Sequence, residues 1–138
     1  MKTDSAIRNM FMEYEKAFGA LDFEKQAYFF SDAFIMAGPK GAVSQSKSEF
    51  LKNAGRAADF YRSIGQTSAK LITFSETPIS GRYSIAKTHW GVTFKKTGDR
   101  LIEFDISYII HKAPDAPKII LAIAHQDEEE AMKELGLR

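Results

Sequence analysis

The spacing of apolar residues changes once along this chain, and that change constrains the fold more than any other feature. In the first half, apolar residues recur every three or four positions, as on one face of a helix. The first such series is Ile7, Met10, Phe11, Tyr14, Phe18 and Leu21. From Gln66 onward, apolar and polar residues tend to alternate, which is typical of strands. The chain is therefore predicted to place its helices before an antiparallel sheet.

Local signals mark where the helices begin. Asp4 and Asp22 each precede an apolar helical pattern and can cap it. Ser46 and Glu49 have the spacing of a capping box, which predicts a third helix directly after Ser46. Gly65 suits the left-handed residue that follows a helix end. Three helices are therefore expected in the first half of the chain.

Four strands are predicted in the second half. They are Lys70 to Glu76, Tyr83 to Lys95, Leu101 to Lys112 and Lys118 to His125. A three-residue loop at Thr97 to Asp99 predicts two sets of opposed residues. On one face these are Phe94 with Ile102, Val92 with Phe104, Trp90 with Ile106, Thr88 with Tyr108 and Ala86 with Ile110; on the other, His89 with Ser107, Gly91 with Asp105 and Thr93 with Glu103. No linker or repeat is visible, so residues 1–138 are expected to form one α+β domain.

Composition excludes several classes of partner. The chain has 138 residues, with 19 Lys and Arg against 18 Asp and Glu, so no net field favours nucleic acid or a membrane surface. Cysteine is absent, which excludes disulfides and thiolate chemistry. No apolar run reaches the roughly 20 residues of a membrane span, and the first residues do not resemble a signal peptide. We therefore expect a cytoplasmic protein without nucleic-acid or membrane partners.

Two residues of the predicted sheet could carry acid–base chemistry. Asp105 lies in the largely apolar run LIEFDISYII, where desolvation could raise its pKa. His89 is predicted on the same sheet face, and its ordinary pKa of about 6.5 suits proton transfer near neutrality. The alternative is that both make polar contacts on a solvent-exposed or interface face.

The other histidines predict less chemistry. His125 could lie at a pocket mouth, or it could simply end the sheet. The second interpretation is supported by Asp127 and the acidic residues after it, which are well placed to begin a final helix. His89, His111 and His125 lack the spacing of metal motifs, and no glycine pattern for nucleotide binding is present. No metal and no cofactor are expected.

Aromatic and apolar residues could enclose a ligand. The candidate ligand-binding residues are Tyr14, Phe18, Phe30, Phe34, Met36, Trp90, Tyr108 and His125. The alternative is a filled core, since the chain has 11 Phe residues. A buried Trp90 or Tyr108 would need a partner for its N–H or O–H group.

Several landmarks together resemble the nuclear transport factor two-like superfamily. They are the segment from Tyr14 to Asp22, Ser31-Asp32 before the first strand SDAFIMAGPKG, Trp90 in a long strand, and His125-Gln126-Asp127 before an acidic tail. The resemblance implies a cystatin-like cone, in which a strongly curved, mixed and mostly antiparallel sheet wraps around N-terminal helices. It also implies a pocket between helices and sheet, and a homodimer.

Ketosteroid isomerases of this superfamily offer a residue-by-residue test. Their base is an aspartate just before a proline at the end of the first strand, and Gly38 occupies the matching position before Pro39. Their oxyanion hole pairs a tyrosine with an aspartic acid, which the resemblance matches to Tyr14 and Asp105. Together with His89, which is a candidate from its place in the predicted sheet, Tyr14 and Asp105 form a candidate catalytic set that lacks the isomerase base.

Three functions follow from these expectations. The first is a protein that binds a small apolar or carbonyl-bearing molecule in a mostly apolar pocket. The second is a SnoaL-like isomerase, cyclase or dehydratase, in which His89 or Asp105 is the acid or base and Tyr14 polarises a carbonyl. The third is a non-catalytic dimeric association module whose pocket is filled.

Overall fold

A computed structural model describes residues 5–98, 100–127 and 133 of the chain. Its helices and strands follow the order expected from the sequence, with one additional strand between the first strand and the third helix. The helices are α1 Ser5–Gly19, α2 Phe23–Tyr28 and α3 Lys47–Ser63; the strands are β1 Phe30–Gly38, β2 Gly41–Ser46, β3 Gln66–Pro78, β4 Tyr83–Phe94, β5 Leu101–Lys112 and β6 Pro117–Ala124. The strands form one curved, open sheet in the order β2-β1-β6-β5-β4-β3. All neighbours are antiparallel except β1 and β6, so the expected mixed α+β fold is confirmed.

The helix starts confirm the capping predictions that fall on described residues. The Glu49 N–H donates to Ser46 Oγ at 3.1 Å, and the Ser46 N–H donates to Glu49 Oε1 at 2.8 Å. Asp22 Oδ1 accepts from the Lys25 N–H at 3.1 Å. Gly65 has a φ of 77°, as expected for the residue just after a helix end. The predicted Asp4 cap and the helix after Asp127 lie outside the described residues.

Helix α1 is tied to the sheet by a carboxylate. Glu15 Oε2 accepts from the backbone N–H of Leu71 at 2.6 Å. The pairing of β3 with β4 shifts register between Leu71 and Thr73, and such bulges leave backbone groups without a ladder partner. Glu15 thus satisfies a donor that the sheet does not use, and it fixes α1 against β3.

The predicted register between β4 and β5 is wrong by two residues. Trp90 lies opposite Phe104 rather than Ile106, and His89 lies opposite Asp105 rather than Ser107. The reason is a longer connection, because pairing ends at Thr93 with Leu101 and a short 3₁₀ helix follows, Lys95–Thr97. A shift of two keeps every side chain on its predicted face, so the division into two faces is unaffected.

The sheet has an inner face that packs on the helices and an outer face that points away from them. Trp90 and Tyr108 lie on the inner face, where they pack with Phe11 and Tyr14 of α1. The Trp90 indole N–H donates to Thr88 Oγ1 at 2.8 Å, which supplies the partner expected for a buried tryptophan. Residues that alternate with these, such as His89, lie on the outer face.

Candidate functional site

A cavity of about 340 Å³ lies between the helices and the inner face of the sheet. We call it the helix–sheet pocket. Residues from all three helices and from β1, β2 and β5 line it: Tyr14, Phe18, Phe23, Gln26, Phe30, Met36, Gln45, Phe50, Asn53, Ala54, Ala57, Tyr61, Phe104, Ile106 and Tyr108. The walls therefore come from segments far apart in sequence, and the pocket exists only in the folded chain.

Packed aromatic rings form most of the wall. Phe30 and Phe50 stack with ring centroids 5.8 Å apart and an interplanar angle of 28°. Tyr14 packs against Phe30 at 6.2 Å and edge-on against Tyr108 at 6.1 Å. Ring pairs at these distances are mutually stabilising beyond the area that they bury. The wall is therefore held by contacts that do not depend on a ligand.

The polar groups of the pocket are amides and tyrosines. Among the described residues that line it there is no Asp, Glu, His, Lys or Arg. Asn53 is exposed and its Nδ2 donates to the Glu49 carbonyl at 3.1 Å, while Gln45 is half-buried. Gln26 differs from both because its side chain is only 7% exposed. The pocket is thus an apolar space with one deeply buried amide.

The structure places the candidate ligand-binding residues in three locations. Tyr14, Phe18, Phe30, Met36 and Tyr108 line the helix–sheet pocket. Phe34 and Trp90 are buried in the core behind it. His125 lies on the outer face, where its Nε2 is 2.8 Å from Ser107 Oγ.

Sequence reasoning missed Gln26 and most of the residues that α3 contributes. The spacing of Phe50, Ala54, Ala57 and Tyr61 predicts one inner helical face, but it gives no sign that this face borders a cavity. Gln26 carried a usable signal, because it lies three residues after Phe23 and four before Phe30. A polar residue at a core position of an amphipathic segment often marks a functional position.

A second group of polar side chains lies on the outer face. His89 Nδ1 is 2.7 Å from Asp105 Oδ1, and His89 Nε2 is 2.7 Å from Glu103 Oε1. Gln126 Nε2 donates to Asp105 Oδ2 at 3.1 Å, and Gln126 Oε1 accepts from the Asp105 N–H at 2.8 Å. We call His89, Glu103, Asp105 and Gln126 the outer polar cluster. The corrected strand register creates it, since it sets His89 directly opposite Asp105.

The cluster favours the charged forms of its members. Hydrogen bonds to Glu103 and then to Asp105 raise the pKa of His89 above its usual 6.5. The hydrogen bond from His89, followed by that from Gln126, lowers the pKa of Asp105 below its usual 3.8. Asp105 was expected to have a raised pKa through burial, but it is partly exposed and paired with a base. The cluster therefore stabilises the imidazolium form of His89 and the ionised form of Asp105 relative to their ordinary state in water.

The three candidate catalytic residues do not come together. Tyr14 lies in the wall of the helix–sheet pocket. His89 and Asp105 lie on the outer face of the sheet, on the side away from the helices. Alternation along the strands explains the separation, because Trp90 and Phe104 point toward α1 and their neighbours must point away. A molecule in the pocket would not contact His89 or Asp105.

The stability contributed by the outer polar cluster is expected to be greatest between pH 3.8 and 6.5. Because folding raises the pKa of His89, its contribution is complete below 6.5 and is lost as the pH rises through the raised value. Because folding lowers the pKa of Asp105, its contribution is complete above 3.8 and is lost as the pH falls through the lowered value. Urea unfolding of the wild type and His89→Gln at pH values below, within and above this range measures the difference.

A matched control is His111→Gln, because His111 stacks on Tyr83 at 5.0 Å and lies outside the outer polar cluster. Nuclear magnetic resonance titration should give His89 a pKa above 6.5 in the wild type. A His89 pKa at or below that value, or equal pH profiles for wild type and His89→Gln, would contradict the expectation.

Two negative findings apply to the part of the chain that the structure describes. No group of three or more His, Asp or Glu side chains there is arranged to hold a metal ion. No helix within it is long and apolar enough to cross a membrane.

Comparison with known protein families and solved structures identifies the family and the fold of the chain. The profile of a family described as NTF2-like protein (DUF6841) matches residues 3–127. No curated protein sequence matches the chain significantly. Many solved structures share the fold.

An NTF-2 like protein of unknown function from Shewanella oneidensis has a TM-score of 0.69 at 14% identity, over 91% of this chain and 100% of that one. An NTF2-like protein with a cystatin-like fold from Novosphingobium aromaticivorans has a TM-score of 0.71 at 12% identity, over 94% and 86%. A ketosteroid isomerase-like protein from Erwinia carotovora atroseptica has a TM-score of 0.62 at 12% identity, over 91% and 97%. At these identities the similarity concerns the fold alone.

Proposed function

Since the chain belongs to the NTF2-like family DUF6841, we propose that it binds an uncharged, mostly apolar small molecule in the helix–sheet pocket. The single observation that carries this proposal is the composition of the pocket wall. Its side chains are aromatic and aliphatic, and their only polar groups are amides and tyrosine hydroxyls. An ionised ligand would lose its hydration there without gaining an opposite charge, and that loss is costly. The chemistry of the wall therefore selects against charged molecules.

The size of the pocket limits the ligand further. A volume of about 340 Å³ is near the lower end of the roughly 300–1,000 Å³ that is common for small-molecule sites. A compound of one or two rings fits such a space better than a four-ring compound. A carbonyl-bearing ligand is also compatible, since Tyr14, Tyr61 and Tyr108 line the pocket and a tyrosine O–H can donate to a carbonyl.

The enzymatic alternative has less support. A SnoaL-like isomerase, cyclase or dehydratase needs an acid or base beside its substrate. The described lining residues include no Asp, Glu, His or Lys that could take this role. Catalysis in this pocket would require a different base from His89 or Asp105.

Homodimerisation through the outer face remains part of the proposal. Exposed apolar side chains occur on that face next to the outer polar cluster; Leu101 and Ile72 lie over Gly91, and Ile123 pairs opposite Ser107. A second copy would cover these side chains. A monomer mass by light scattering at every concentration would refute homodimerisation.

The cytoplasmic location, which rests on composition, also remains a prediction.

Calorimetric titration with three related compounds tests the ligand proposal. Naphthalene and 2-naphthol should bind, whereas ionised 2-naphthoate should bind at least about tenfold more weakly because its charge would be desolvated without a partner. Ala57→Phe should abolish binding, since Ala57 lines the pocket and a phenyl group would occupy it.

Ala113→Phe is the matched control, because Ala113 is half-exposed and is not among the lining residues. It should bind like the wild type. Failure of both neutral compounds to bind, or unchanged binding in Ala57→Phe, would refute the proposed function.

A further inference from the structure

We propose that Gln26 determines which neutral molecules the pocket accepts, through a hydrogen bond from a ligand hydroxyl or N–H group to its side-chain oxygen. The inference rests on the proposed function, and it adds the chemical class of the ligand: an apolar ring compound with a hydrogen-bond donor. It assigns a specificity role to a residue of α2.

The position of Gln26 is unusual for its residue type. It lies in α2 between Phe23 and Ala27, which are both buried, and its own side chain is 7% exposed. Glutamine is mostly found at the protein surface, because burial of its amide removes hydration from both polar atoms. A leucine would fill the same helical position without that cost. The Gln26 amide is therefore expected to have a hydrogen-bond partner when the protein performs its function.

The described part of the chain does not supply that partner. The Gln26 Oε1 atom is buried and has no hydrogen-bond partner among the residues that the structure describes. The backbone of Gln26 is already used, because its N–H donates to the Asp22 carbonyl at 3.0 Å and its carbonyl accepts from the Phe29 N–H at 3.1 Å. The unpaired oxygen belongs to the side chain, and this side chain lines the helix–sheet pocket.

An unpaired acceptor selects for a donor. A ligand hydroxyl or N–H that reaches Oε1 removes the penalty of the buried oxygen, and a ligand with only an ether or a hydrocarbon at that position leaves the penalty in place. Sites built to pair with a ligand hydroxyl discriminate strongly against analogues that lack it. A charged ammonium group also donates, but the described lining residues include no carboxylate to balance it.

The test compares three compounds of similar shape by calorimetric titration: 2-naphthol, which can donate, and 2-methoxynaphthalene and naphthalene, which cannot. The wild type should bind 2-naphthol about tenfold or more tightly than either of the others. Gln26→Leu should bring the three affinities within about twofold, mainly by weakening 2-naphthol, because one hydrogen bond is removed. The Gln26→Met variant, whose side chain has similar length, tests the same point if Leu disturbs the fold.

Gln126→Leu is the matched control, since it removes a glutamine amide that lies on the outer face and does not line the helix–sheet pocket. It should keep the preference for 2-naphthol. An independent measurement is the melting temperature without ligand, which should rise in Gln26→Leu or Gln26→Met because an unpaired buried acceptor has been removed.

The possible failures are distinguishable. Equal binding of all three compounds to the wild type would overturn the role of Gln26 and leave the ligand pocket intact. A preference for 2-naphthol that persists in both Gln26 variants would also overturn it, because another group would then accept the hydrogen bond. Absence of binding for every compound would refute the proposed function and this inference with it.

Discussion

Replacing Trp90 with alanine is expected to lower the free energy of unfolding by about 4 kcal/mol, as is usual for removing a large buried aromatic side chain. Trp90 is 0% exposed on the inner face of β4. Its ring packs edge-on against Phe18 at 5.5 Å and against Tyr14 at 5.9 Å. Removal would leave a cavity that these rings could fill only by moving out of the pocket wall. Urea denaturation followed by circular dichroism measures the loss.

Two variants serve as controls for Trp90→Ala. Trp90→Phe keeps a ring but leaves Thr88 Oγ1 without the indole donor, so an intermediate loss of about 1–2 kcal/mol is expected. Met12→Ala removes an exposed side chain from α1 and should change stability by less than about 0.5 kcal/mol. A loss below 2 kcal/mol for Trp90→Ala, about half the expected value, would show that the core relaxes around the missing ring.

Replacing Lys112 with methionine is expected to cost about 3 kcal/mol, because it leaves a buried carboxylate without its counter-ion. The Glu76 side chain is 1% exposed, and its Oε2 lies 3.7 Å from Lys112 Nζ. Ser84 Oγ donates to the same oxygen at 2.5 Å. The Lys112 side chain is 26% exposed, so water partly solvates the cation. We therefore expect a loss at the lower end of the range that is usual for breaking a buried ion pair.

The double variant Glu76→Gln with Lys112→Met provides the control for this pair. Glutamine keeps an acceptor for Ser84 but carries no charge, so the double variant should be more stable than Lys112→Met alone. Chemical denaturation of the wild type and both single and double variants completes the cycle. If Lys112→Met and the double variant were equally stable, the loss would come from packing of the lysine stem rather than from the unpaired charge.

Elements with local signals could be predicted from the sequence. Helix α3 begins at Lys47 because Ser46 and Glu49 satisfy each other's backbone groups, an interaction that spans only four residues. Strands β4 and β5 were found because their apolar residues repeat with a period of two. Strand β2 was missed because its residues are mostly exposed and polar, so no apolar alternation marks it.

Relations between distant elements could not be predicted in the same way. A strand pair shifted by two residues keeps the same pattern of faces, so the pattern alone could not show that His89 lies opposite Asp105. Nor could it show which face the helices cover, and that choice separates Tyr14 from His89. The buried environment of Gln26 depends on α3 and β1, which follow it in the chain.

The place of β1 in the sheet has a consequence for how the chain reaches this fold. Strand β1 lies between β2 and β6, and its parallel pairing brings Phe30 beside Ile119. While the chain is being synthesised, β1 can pair with β2, but its other edge stays open until β6 has emerged. Contacts between residues so far apart in sequence slow folding, and an open strand edge can pair with another chain. The interval before β6 arrives is thus when newly made molecules are most prone to aggregate.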